Sequence, residues 1–318
     1  MSDRQTFLIF DGHAVIYRAF YALPPLTDPQ GRVVNAVYGF SRILLAALSE
    51  FSPDFVAVTF DHPKPTFRHQ QYKEYKAQRP TMPDDLQSQI PIIKEVVSVL
   101  GIPQFELEGY EADDLIGTLS YWLDFHPDKL EAKGDILTII VTGDKDLLQL
   151  VDQNTCVWIP GKGQGKDTKY DTHLVETKIG VKPEQIVELK ALMGDASDNI
   201  PGVKGIGPKT AVTLINQYGT VERLYQAIDG LTQSKQSDSL LKGALLTKLI
   251  EGKKMALLSL DLAKIDRNAP LELHLQQCRV EGYDKTKAVE FFQSLEFNSL
   301  IKLLPADQFE SDVQQALF

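Results

Sequence analysis

The chain has 318 residues, 43% of them hydrophobic and 24% charged, which suits a soluble globular protein with ample length for a real core. Its opening lacks the basic segment and sustained apolar run of a secretory signal, and no stretch has the length and apolarity to span a bilayer. Cys156 and Cys278 have no metal-ligand spacing, so a cytoplasmic protein with two incidental thiols is expected. A formal net charge of −10 argues against a nucleic-acid partner unless the acids gather in one metal pocket and the basic residues are placed locally.

Residues 7–10 read as a first apolar strand that ends at Asp11, and an amphipathic helix is predicted after Gly12, through Tyr17 and Phe20. A second helix is predicted over 35–51, where Val37, Phe40, Ile43, Leu44, Ala47 and Leu48 recur at helical spacing. Residues 55–60 (FVAVTF) form a second buried strand, ending at Asp61. The segment 62–85 is different: polar and aromatic, broken by Pro63, Pro65, Pro80 and Pro83, and rich in Lys and Arg. Helices follow over 90–100, capped by Gly101, and over 111–124. Residues 136–141 (ILTIIV) are a third buried strand, followed by Thr142, Gly143 and Asp144. Strands alternating with helices predict an α/β core, a mostly parallel sheet covered on both faces. Residues 160–170 read as a mobile Gly- and Lys-rich loop, the chain is mainly helical from 172 onward, 234–239 is a loop between helices, and the tail after 305 is loosely held.

Three predicted strands thus end in an acid, at Asp11, Asp61 and Asp144, with Asp146 two residues on. Ligands of open parallel sheets bind beyond the carboxyl ends of the strands, so these side chains can meet at one edge. The helix entry GYEADDL adds Glu111, Asp113 and Asp114, and GDASDN adds Asp195 and Asp198. Taken singly, each acid is more often a cap or turn residue. Their joint placement favours a cation between them, because converging carboxylates repel. An all-carboxylate set selects hard ions, Mg²⁺ or Mn²⁺, over Zn²⁺. The acids are too many for one ion, and two ions about 4 Å apart imply phosphodiester hydrolysis.

Two segments suit DNA. PGVKGIGPKTA, residues 201–211, has the form of a helix-hairpin-helix element, in which Gly205 and Gly207 admit a close backbone and the next helix, with Thr210 in its first turn, points N–H groups at a phosphate. Lys204 and Lys209 add charge, so the element grips a duplex without reading sequence. In 62–85, Lys64, Arg68, Lys73, Lys76 and Arg79 alternate with Phe67, Tyr72 and Tyr75, a pattern that suits a single strand through phosphate contacts and base stacking; aromatic anchors in a solvated loop are the other reading. Two Gly-rich stretches, 161–168 and 205–210, resemble nucleotide-binding loops but lack the required Gly, Lys and Ser/Thr spacing. A non-catalytic DNA-binding module would not need acids at three strand ends.

The ordered set DGHAVIYRAFYAL, NAVYGF, FDHPKPTFRHQQYKEYKAQR, GYEADDLIGTL, TGDKDLLQL and GDASDNIPGVKGIGPKTA resembles the 5′ nuclease domains of bacterial DNA polymerase I, relatives of flap endonucleases and bacteriophage 5′ nucleases. The resemblance implies a PIN-like (resolvase-like) core with a helix-three-turn-helix region, and a structure-selective 5′-3′ exonuclease and flap endonuclease of replication and repair. It implies a first metal site of Asp11, Asp61, Glu111 and Asp113 and a second of Asp144, Asp146 and Asp195, with Asp113 between them and Asp114 and Asp198 as supporting acids. Arg68, Lys76 and Arg79 match the basic residues of an arch that admits the 5′ strand, with Lys76 at the scissile phosphate, and Arg18 matches by its place in YRAF. Backbone carbonyls at Leu192, Met193, Pro201, Val203 and Ile206 match those that hold K⁺ against DNA in some members.

The expected organisation is a catalytic domain over 1–171 that includes the arch 62–85, a helical DNA-binding region over 172–304 and a tail over 305–318. The expected partner is DNA bearing a 5′ flap or 5′ end, bound by a nucleoid-associated monomer without membrane contact. The chain is either a stand-alone nuclease or the N-terminal part of a longer polymerase.

Overall fold

The computed structural model describes residues 4–125, 136–161, 165–234, 238–280 and 283–306. Parts of the loops expected at 160–170 and 234–239, and most of the tail after 305, lie outside the described residues.

The chain opens with β1 (Gln5–Asp11), α1 (Gly12–Ala22), α2 (Asn35–Phe51) and β2 (Phe55–Thr59). Short helices α3 (Phe67–Gln71) and α4 (Asp84–Gln87) precede α5 (Ile90–Val99), β3 (Gln104–Phe105), α6 (Ala112–Phe125), β4 (Ile136–Val141), β5 (Thr155–Ile159) and β6 (Thr168–Tyr170). These strands form one sheet in the order β3-β2-β1-β4-β5-β6, parallel except for β6. The predicted strands and helices are therefore present, and β3, β5 and β6 are additions. β6 pairs antiparallel with β5 inside the segment read as a mobile loop, because the chain turns back on β5 and its backbone groups are satisfied by the ladder. α5 ends as foreseen: Gly101, at φ +67, donates to Ser98 O and Ile102 donates to Val97 O, the paired bonds of a left-handed helix stop.

Alternation along each strand sends side chains to opposite faces of the sheet. Phe7, Ile9, Phe55, Ala57 and Ile140 enter one buried cluster with α6; Leu8, Phe10, Val56, Val58, Ile139 and Val141 enter another with α1, α2 and α5. The first cluster continues into α7 (Thr172–Ile179), α8 (Ile186–Met193), α9 (Pro208–Tyr218), α10 (Val221–Ser234) and α11 (Gly243–Ala263). The second takes in α12 (Lys285–Ser294) and α13 (Asn298–Ile301), which pack on α5 and α2 although they follow the helical region in sequence. No helix among the described residues is long and apolar enough to cross a membrane.

Strand order reverses between β1 and β4: the chain builds outward to β3, then returns through α6 to the other side of β1. A crevice at the carboxyl ends of strands forms at such a reversal. Asp11 ends β1, and Thr142 and Asp144 follow β4, so the reversal sets them side by side.

Phe7 is fully buried at the centre of the sheet, edge-on to Phe55 with ring centroids 6.2 Å apart. Replacing it by Ala is expected to lower the unfolding free energy by about 3–5 kcal/mol, read as a shift in the urea midpoint with an unchanged slope.

Candidate active site

Local chemistry explains why each acid sits where it does. Asp11 caps α1 by accepting from Ala14 N and also accepts from Thr142 Oγ1 at 2.7 Å. Thr142 Oγ1 accepts from Asp144 N at 2.9 Å, and Asp144 Oδ1 accepts from Asp146 N at 2.9 Å, so the turn after β4 is fixed residue by residue. Asp61 Oδ1 accepts from Ala112 N at 2.8 Å and thereby caps α6, while Asp61 N donates to His13 Nδ1 at 2.9 Å. The bond from Ala112 N brings Asp61 to the entry of α6, which carries Asp113 and Asp114 and is preceded by Glu111.

The charges interact. Burial, then the neighbouring carboxylates of Asp61 and Asp144, pushes Asp11 up to about 7. Burial and the charges of Asp11 and Asp144 raise Asp113 well above the usual carboxylate range. Burial and Asp144 push Asp146 up to about 7. Asp195 moves the other way: burial opposes its charge, but the Lys190 ammonium and the Ser197 hydroxyl and N–H hold it down at about 2. Asp146 and Asp195 share Lys190 and still diverge, because burial and the neighbouring Asp144 outweigh the ammonium at Asp146, whereas Asp195 also accepts from the Ser197 hydroxyl and N–H.

Basic side chains answer part of this excess. Lys76 Nζ lies 2.8 Å from Glu111 Oε2 and 3.7 Å from Asp198 Oδ2. Arg79 Nη2 donates to Asp198 Oδ1 at 2.5 Å. Lys190, on α8, donates to both Asp146 and Asp195. Among the described residues no three His, Cys, Asp or Glu side chains are gathered tightly enough to cage a cation as they stand. The donor set nevertheless fits divalent ions: it is all oxygen, and its like charges raise Asp11, Asp113 and Asp146 when no cation neutralises them.

The strap from 62 to 85 lies against this edge. Lys76 N donates to Asp198 O, Gln78 Nε2 to Ala196 O, Arg79 Nε to Ser197 O, and Asn199 Nδ2 to Glu74 O, so 74–79 is knitted to loop 195–199. Lys76 adopts φ +55, an unusual value for a residue with a side chain, held by that docking. Lys76 and Arg79 therefore face the acids.

Several of the expected site residues take partners within the protein. Arg68 does not face a strand path: it is 2% exposed, makes a bidentate bond to Asp114 at 2.8 and 2.7 Å, and donates to the carbonyls of Leu262 and Lys264. Asp114 does not face the cleft either, since it is fully buried and also accepts from Glu111 N and Asp266 N. Asp198 is taken up by Lys76, Arg79 and Tyr75. Tyr75 is buried, its hydroxyl donating to Glu111 Oε2, and cannot offer a face to a base. Phe67 packs edge-on to Tyr110 and under the Arg68 guanidinium, and Tyr72 packs against the cluster of Tyr75, Ile200 and Leu262. The aromatic residues of the strap thus anchor it to the protein, the other reading of that pattern.

Arg18 donates to Pro160 O and lines a cleft of about 540 Å³ with Tyr17, Tyr21, Arg79, Gly143, Asp144 and Ser197. In the hairpin, Gly205 has φ +81, Gly207 precedes α9, Lys204 and Lys209 are exposed, and Thr210 lies in the first turn of α9. The tightest glycines are others: a Cβ on Gly202, at φ +61, would lie 2.2 Å from Gly194 N. Of the five carbonyls matched to K⁺, Leu192 O accepts from Val203 N and Val203 O from Ile206 N; Met193, Pro201 and Ile206 flank the same turn. Sequence reading missed Lys190, Thr142 and His13. Lys190 carried one signal, a lysine at a position where α8 turns its buried side inward.

Comparison with known proteins supplies the family. A family model described as the 5′-3′ exonuclease N-terminal resolvase-like domain matches residues 6–180, and one described as the 5′-3′ exonuclease C-terminal SAM fold matches 181–286. DNA polymerase I of Bacillus subtilis is 40% identical over 317 residues, an alignment that covers 100% of this chain and 34% of that protein. DNA polymerase I of Bacillus caldotenax is 41% identical over 309 residues, covering 97% of this chain and 33% of that protein. The chain thus spans about a third of the length of the curated relatives it matches. Among solved structures, T5 5′-exonuclease with zinc bound superposes with a TM-score of 0.62 at 20% identity, over 98% of this chain and 99% of that one. The catalytic core of Rad2 in complex with DNA substrate superposes with a TM-score of 0.57 at 16% identity, over 95% and 93%. At these identities the two structures establish the shared fold.

Two outcomes are expected. Asp11 and Asp146 titrate at about 7 when folded, against an ordinary 3.8, so the folded state binds more protons between those values. Their contribution to the stability of the metal-free protein therefore falls as pH rises from about 4 to about 7, and melts in EDTA are expected to show a flatter pH dependence in an Asp11→Asn, Asp146→Asn double variant. Arg68→Met leaves Asp114 buried and unpaired and is expected to cost about 3–5 kcal/mol in urea unfolding, part of which Asp114→Leu restores in the double variant.

Proposed function

The chain belongs to the 5′-3′ exonuclease family, and from that premise we propose that it is a structure-selective, sequence-independent 5′-3′ exonuclease and flap endonuclease. It would act on DNA with a 5′ end or flap, in primer removal and repair, either alone or as the N-terminal part of a DNA polymerase I. The observation that carries this reading is that Thr142 ties Asp11 and the turn of Asp144 together at one edge of the sheet, where both carboxylates act on Asp113.

Asp11, Asp61, Glu111 and Asp113 would hold one divalent ion, and Asp144, Asp146 and Asp195 a second, with Asp113 between them. Held by these carboxylates, Mg²⁺ or Mn²⁺ would supply an activated water and charge stabilisation for the oxygens of a phosphodiester. The protein's own share is positioning. Lys76 and Arg79, presented by the docked strap, bind the phosphate beside the acids, and Arg18 serves the cleft that opens next to Asp144. The exposed Lys204 and Lys209 and the first turn of α9 grip duplex phosphates, so the cut is placed by DNA shape. The carbonyls of the same turn, from Leu192 to Ile206, would hold K⁺ against the duplex. The division at 171/172 separates the strap and acids from this duplex grip, apart from Asp195 and Asp198.

Asp113→Asn or Asp144→Asn is expected to abolish Mg²⁺-dependent cleavage of a 5′-flap duplex, by a factor of about 10³ or more, while binding to the same duplex in Ca²⁺ stays within about threefold. Cleavage that persists in both variants would overturn the carboxylate mechanism, and cleavage products mapped away from the 5′ side would overturn the polarity.

A further inference from the structure

Lys190 belongs to no motif picked out from the sequence, yet its ammonium occupies a distinctive place. Its side chain is 9% exposed, and it bonds Asp146 and Asp195 together. The two acids come from separate parts of the chain, one from the turn after β4 and the other from the loop after α8. A lysine inside a protein is costly unless its charge is met, and here two carboxylates meet it. Asp146 and Asp195 are also two of the acids assigned above to one divalent ion. An ammonium and a divalent ion both seek the point between the same oxygens, and two cations cannot share it.

We propose that Lys190 is an internal counter-ion that holds Asp146 and Asp195 in the metal-free protein and is displaced when a divalent cation takes that position. The inference rests on the metal-dependent reading above. The ammonium neutralises the two acids before the ion arrives, and it sets the ion's affinity by competing for them. Once displaced it stays tethered to α8 at the rim of the pocket, where a substrate phosphate is its natural partner. Binding of that ion is thus coupled to release of a positive charge toward DNA.

A fixed structural ion pair makes the opposite prediction. If Lys190 merely braced the pocket, removing its charge would loosen the acids and weaken ion binding. Competition requires that removing the charge strengthen it. The test is a calorimetric titration with Mn²⁺ in the absence of DNA, on metal-stripped wild type, Lys190→Met and Lys190→Arg. The weaker Mn²⁺ site is expected to tighten about tenfold or more in Lys190→Met and to stay at or below wild-type affinity in Lys190→Arg. Unchanged or weaker binding in Lys190→Met would overturn the proposal while leaving the metal-dependent reading intact. Absence of Mn²⁺ binding in wild type would overturn both.

A second measurement needs no variant. Intact wild type is labelled with an amine-specific acylating reagent, and the modified lysines are quantified by mass spectrometry. Saturating Mn²⁺ is expected to raise the labelling of Lys190 several-fold and to leave the exposed Lys254 unchanged. Labelling of Lys190 that stays constant or falls would count against displacement.

Discussion

The structure is organised by the cost of bringing carboxylates together. The parallel sheet aims the ends of β1, β2 and β4 at one edge, and the reversal of strand order beside β1 leaves a crevice there. Asp11 and Asp144 reach that crevice directly, Asp61 reaches it by capping α6, and α6 delivers Glu111 and Asp113. Burial removes the water that would screen these charges, so Asp11, Asp113 and Asp146 all favour their protonated forms. The surrounding elements can be understood by how they offset this accumulation.

The offset comes from cations brought in from three directions. The strap contributes Lys76 and Arg79, and α8 contributes Lys190. Arg68 works one step further out. By joining Asp114 on α6 to the carbonyls that end α11, it fixes the root of the strap, and with it the position of Lys76. Tyr75, on the buried side of the strap, touches Glu111 and Asp198 through its hydroxyl. The strap is therefore part of the pocket wall, held by ion pairs and hydrogen bonds that a phosphate backbone, carrying the same negative charge as Asp198, is suited to exchange for its own.

The same reasoning resolves the net charge of −10. Several acids are gathered at one edge of the sheet, while Lys204 on the hairpin and Lys209 in the first turn of α9 stay exposed. An acidic chain can thus present basic contacts to DNA at chosen places. One hydrophobic cluster runs from β1 through α6 to α11, so the helical region and the sheet share a core.

The periodicity of apolar residues by itself determined β1, β2, β4 and the helices α1, α2, α5 and α6, because each buries a face whose spacing is written locally. The acids at strand ends were legible for the same reason: a carboxylate after an apolar run has few places to go. What the sequence left open was which partner each charge takes. Arg68, Lys76 and Arg79 look alike in the strap, but only the fold buries the first against Asp114 and leaves the other two on the acids. Tyr75 looks like a stacking residue until the strap folds down and buries it. Lys190 looks like any helix lysine until α8 turns it toward Asp146. β6 is not visible in a Gly- and Lys-rich stretch, since a short edge strand owes its existence to the neighbour that satisfies its backbone. Residue type and spacing select the chemistry; the pairing of charges depends on contacts between residues far apart in the chain, and those exist only once the tertiary structure has formed.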